Sequence, residues 1–142
     1  MPALFVETDA ASPEPLAFSR DPQPLLALIS FGMAEPYGTQ HPLTELVRRL
    51  KKQHGIDVEP LLTFYDRETK DAEDEEKLSA AWQPGTQLRD CLSSLRAALA
   101  SDSDTASLAD TEPSLPLLLA ELEAMADGAA EGRIRISFSL SG

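Results

Sequence analysis

Cysteine occurs once in the 142 residues, at Cys91, so no disulfide can form within the chain. A lone thiol is the usage of a reducing compartment, and the cytoplasm is the expected location. The N-terminal residues Met1-Pro2-Ala3-Leu4-Phe5-Val6-Glu7 lack the basic start and the longer apolar run of a secretory signal. No stretch of about 20 apolar residues is present to span a bilayer. Asn is absent altogether, and Arg outnumbers Lys, a usage expected of a GC-rich bacterial gene.

Glycine is also scarce, at seven residues. None falls into a G-x-S-x-G elbow, a Walker-type loop or a G-x-G-x-x-G turn, so the usual cradles for a nucleophile or a phosphate are missing. Cations are few. Twelve Lys and Arg face 24 Asp and Glu, for a net charge of −12. Such a field repels nucleic-acid backbones and anionic membranes, and it speeds encounter with cationic partners.

What is present suits one folded domain over 1–142, because 42% of residues are hydrophobic and 25% charged, as in ordinary globular proteins. The fold class expected is α+β: a helix-rich domain of about four to five helices. A small sheet would form from a C-terminal strand at 133–140 and an N-terminal strand near 3–7. Residues 133–140 alternate strictly, with Ile134, Ile136, Phe138 and Leu140 on one face and Arg133, Arg135, Ser137 and Ser139 on the other, which predicts a strand with one wet side and an exposed edge. A breaker stretch at 11–15 is followed by an extended piece at 16–19 that pairs with the first strand.

The apolar run 25–33 reads as a buried helix started by Asp21-Pro22 and ended before Pro36, with a buried strand as the rival reading. Pro42 opens an amphipathic helix running to His54 and closed by Gly55. Its stripe is Leu43, Leu46, Val47 and Leu50, and Arg48, Arg49, Lys51 and Lys52 crowd its last turns. Beyond Gly55, a helix near Pro60 and an edge strand both stay open. The charged run 66–77 reads as a solvated segment, after which Leu78 and Trp82 share a helical face. Thr86 and Ser114 are expected caps of two Leu-striped helices, separated by a mobile loop near 101–113.

The chemistry-bearing residues form no recognised site. Loop spacing for calcium fails from Asp66, where Lys70, Asp71 and Lys77 take positions 5, 6 and 12. It fails again from Asp102, where Ala106, Ser107 and Pro113 take them. Cys91, His41 and His54 lack zinc spacing, so no metal and no cofactor is expected. Cys91 lies toward the interior side of the Leu88–Leu99 stripe, as a structural thiol would. Binding candidates are Tyr37, Thr39, Gln40 and His41 in the helix-entry loop, joined by Trp82 or Tyr65. The function expected is a protein-binding or regulatory module without catalytic activity. Its partner would be a protein, a basic one or a second copy of the chain, and not nucleic acid or membrane. Self-pairing would set the 48–52 cations against the 66–76 acids. Two alternatives stay open: a small-molecule-binding protein or enzyme with its pocket near Tyr37–His41, and a homo-oligomeric structural subunit.

Overall fold

A computed structural model describes residues 3–9, 16–66 and 69–139, with 64–66 as backbone. The strict alternation at the C-terminal end becomes strand β4 (Arg133–Ser139), and its backbone is satisfied on both edges. On one edge runs β1 (Ala3–Thr8), antiparallel, from Ala3 opposite Ser139 to Thr8 opposite Ile134. The other edge is shared by two short pieces. Strand β2 (Phe64–Asp66) is parallel, with Phe64 opposite Ile136, and β3 (Gln83–Pro84) is antiparallel, with Gln83 opposite Ile134. The N-terminal pairing is as the sequence predicts. The exposed edge is not: β4 is the central strand, because β2 and β3 cover the side left open by β1. The extended piece at 16–19 adds a single bridge, in which Leu16 N donates to Val6 O at 2.7 Å.

The one-wet-face expectation also needs correction. Ile134 and Ile136 enter the core as the alternation requires, but Ser137 and Ser139 on the opposite face are buried as well. Trp82 packs against that face, its ring 4.7 Å from the Arg135 guanidinium and 5.6 Å from that of Arg133. The breaker stretch 11–15, Leu140 and the side chain of Tyr65 lie outside the described residues.

The class α+β holds, with more helices than expected: seven α-helices among the described residues. Helix α1 (Gln23–Ala34) resolves the 25–33 ambiguity in favour of helix. Asp21 accepts from Gln23 N at 3.1 Å, and Leu25 and Leu26 donate to Pro22 O, so Pro22 stands just outside the helix rather than at its first position. A 3-10 turn (Glu35–Tyr37) follows, closed by Gly38 at φ 79°. Helix α2 (Pro42–Lys52) stops two residues short of His54, and Gly55 takes φ 63° in the turn beyond it. Both readings of the next segment are realised in sequence, as helix α3 (Glu59–Leu62) and then β2.

Helix α4 (Ala72–Ala80) takes up the second half of the charged run, capped by Asp71, and buries no residue. It ends before Trp82, so Leu78 and Trp82 do not share a helical face. Helix α5 (Gly85–Ser101) starts one residue before Thr86, which therefore does not cap it. The segment read as a mobile loop contains helix α6 (Ser103–Ala109), and α7 (Leu115–Gly128) begins after Ser114 without a side-chain cap from that residue.

Leucine builds the interior. Leu25 and Leu28 of α1, Leu43, Leu46 and Leu50 of α2, Leu88, Leu92 and Leu95 of α5 and Leu118 of α7 are all sealed from solvent in one cluster. Each such side chain contributes about 1.5–3 kcal/mol through burial. The start of α5 lies hard against the residue that follows α7: a Cβ built on Gly85 would sit 2.1 Å from Ala129 O. Gly85→Ala forces two backbones apart and is expected to cost about 1–3 kcal/mol in urea unfolding. Gly128→Ala, with open space around it, is expected to be neutral or to stabilise by up to about 1 kcal/mol.

Candidate functional site

Helix α5 presents two faces to two neighbours. Leu88, Leu92 and Leu95 face the core, and α5 packs most extensively on α7. Along another face run Gln87, Asp90, Cys91, Ser94, Ala97, Ala98 and Ser101, spaced three and four apart as one helical stripe. This stripe floors an open groove of about 820 Å³, whose opposite wall is the connection from His54 through Asp57 to Pro60.

The wall is held by specific bonds. Ile56 N donates to Leu50 O at 3.0 Å, Asp57 Oδ1 accepts from Glu59 N at 3.1 Å, and the Cys91 thiol donates to Asp57 O at 3.4 Å. Cys91 is 7% exposed, and burial pushes its thiol up to about 11. A thiol so held is protonated at neutral pH and serves as packing, in keeping with its place on the helix.

At the Ser101 end of the groove, Asp102 gathers five donors. Its Oδ1 accepts from Asp104 N (3.1 Å) and Thr105 N (3.3 Å), capping α6. Its Oδ2 accepts from Thr105 Oγ1 (2.7 Å) and Arg49 Nη2 (3.3 Å) and lies 3.0 Å from His54 Nε2. Arg49 Nε also donates to Thr105 Oγ1 at 3.0 Å. The Thr105 hydroxyl, His54 and the other donors hold the Asp102 carboxyl well below its ordinary value of 3.8. This carboxylate is saturated. It joins the end of α2 to the start of α6, and no described hydroxyl or thiol donates to His54, so the pair forms no relay to a nucleophile. Among the described residues no group of three His, Cys, Asp or Glu is arranged to hold a metal, and no helix is long and apolar enough to cross a membrane.

The predicted binding residues divide. Thr39, Gln40 and His41 line a smaller cavity of about 540 Å³ with Glu45 and Arg48, at the entry to α2. Tyr37 is 88% exposed and is not among the residues lining that cavity, and neither is Trp82, which sits over the sheet. His41 is committed structurally: Nδ1 accepts from Leu43 N at 3.1 Å, and its ring stacks on Phe31 with centroids 3.8 Å apart. Arg48 is likewise taken up by Glu45 and by the buried Glu35, which also receives Lys51 Nζ at 3.0 Å. With Arg49 bound to Asp102, three of the four α2 cations are neutralised within the chain, which removes most of the basic patch on which self-pairing with the 66–76 acids would rest.

The α5 groove was not singled out from sequence. Its signal is the set Cys91, Ser94, Ala97 or Ala98 and Ser101, a run of small residues at helical spacing beside the leucine stripe. Asp57, on the far wall, carries no local signal at all. Comparison of the chain with protein families, with curated proteins and with solved structures finds no match.

Two measurements check this description. At pH 8, Cys91 is expected to react with an aromatic disulfide reagent about a hundredfold more slowly than free cysteine, and to reach the free rate once the chain is unfolded in denaturant. Asp102→Asn is expected to destabilise the chain at neutral pH. Because the folded carboxyl lies lower than the unfolded one, the wild-type advantage is whole above pH about 4, shrinks as pH falls further, and vanishes below the folded value. Urea midpoints of both proteins between pH 7 and pH 2.5 read this directly.

Proposed function

We propose that this chain is a non-catalytic binding module whose α5 groove receives a cationic segment of another protein. The observation that carries the reading is the charge of the lining. Asp57 and Asp90 stand on opposite walls of the groove, and among the described residues no Lys or Arg lines it. Among the described contacts Asp57 has no cation, and Asp90 meets its neighbour Arg89 at 3.1 Å.

The rest of the molecule supports the same direction. Among the described residues, nine of the 11 Lys and Arg side chains are engaged in ion pairs within the chain, and the net charge of the chain is −12, so the charge left to act on a partner is negative. A field of that sign raises the rate of encounter with a basic surface and discourages nucleic acid. The side chains most suited to chemistry are occupied: Cys91 is packed, His41 caps α2, and His54 is bound to Asp102.

Titration of the isotope-labelled chain with an oligolysine peptide tests the reading. Amide shifts are expected to cluster on 54–60 and on the Gln87–Ser101 stripe, and to weaken as salt rises. Asp57→Lys combined with Asp90→Lys is expected to weaken binding by about tenfold or more. Shifts centred on the acidic helix α4, with the groove unmoved, would defeat it.

A further inference from the structure

We infer that the segment received by the groove is an amphipathic helix with a narrow apolar stripe flanked by Lys and Arg; this rests on the groove being the docking site.

The lining decides between a helical and an extended occupant. An extended segment needs partners for its own N–H and C=O groups, which a sheet edge supplies. No strand lines this groove: one wall is α5, whose backbone bonds internally, and the other is the turn and short helix from His54 to Pro60. The described strands all pair with β4, and the nearest of them, β3, meets the groove only through the Gln83 side chain, which bonds Pro60 O and Gln87. A helix arrives with its backbone already satisfied, so burying it there leaves fewer groups unpaired.

Size agrees. From Gln87 to Ser101 the stripe spans about 21 Å at 1.5 Å per residue, the length of about four helical turns. Its floor is Cys91, Ser94, Ala97, Ala98 and Ser101, small enough for a second helix axis to come within the usual 8–10 Å. Ile56 and the exposed Ala97 offer apolar contact along the middle, over the buried Pro60 and Ala98, while Asp57 and Asp90 stand where cations flanking an apolar stripe would reach them. A second copy of this chain fits poorly as the occupant, because its one strongly basic helix, α2, has Arg48, Arg49 and Lys51 bound to Glu35, Glu45 and Asp102.

The test compares two synthetic peptides of about 16 residues. One carries Leu and Ala at helical spacing between Lys and Arg, and the other differs only by two central prolines. Fluorescence anisotropy at about 150 mM salt suppresses long-range charge attraction. The expected result is that the helical peptide binds at least about tenfold more tightly than the proline peptide, and that Ala97→Arg weakens it by about tenfold with the circular dichroism melt unchanged. Ser94→Arg serves if Ala97→Arg does not fold. Equal binding of the two peptides, both weakened by the groove variant, overturns the helical inference and leaves the docking reading standing. Binding untouched by the groove variants, or no binding of either peptide, overturns both. Self-association of the chain that Ala97→Arg abolishes assigns the groove to a second copy and likewise overturns the inference.

Discussion

A β-strand inside a folded chain must have hydrogen-bond partners along both edges or leave one to solvent, and in this protein β4 takes the first course. Its register with β1 sets which of its residues point inward, and its other edge draws in residues from two separate places, 64–66 and 83–84. Those short pieces bracket α4 and hold it outside the core, where it buries nothing. The second of them runs directly into α5, and Gln83 is itself buried, donating from Nε2 to Pro60 O at 2.7 Å. The start of α5, the position of Pro60 and therefore both walls of the groove are referred back to the hydrogen bonds of one strand.

How much of this is legible in the sequence follows from the range over which each signal acts. The leucine stripes of α2, α5 and α7 announce themselves because their period is local and burial enforces it. The strand at 133–139 and its pairing with the N-terminal run are legible for the same reason. Helix α6 is not, since Ser103 to Ala109 carries almost no apolar period, and its stability comes from Asp102, whose partners Arg49 and His54 lie about fifty residues earlier in the chain. Strands β2 and β3 are three and two residues long, too short to show alternation, and exist only because β4 offers an edge.

The site divides in the same way. Thr39, Gln40 and His41 do gather at a cavity, since they adjoin one another in sequence, but the imidazole of His41 is spent on the helix start and on Phe31. The α5 groove needs two walls from distant segments. One wall is readable as small residues at helical spacing. The other, from His54 to Pro60, follows from where α2 ends and α3 begins, a matter of tertiary packing rather than of local preference.

The pairing of Ala3 with Ser139 has a further consequence for how the molecule comes into being. During synthesis some helical contacts, such as that of α1 with α2, are available early. The three outer strands have no ladder to join until residues 133–139 have been made. Closing the sheet then spans almost the whole chain, a large entropic cost that falls late and slows the final step. Until that moment β1 has only its single bridge to Leu16, and the ladder that centres the sheet is still missing.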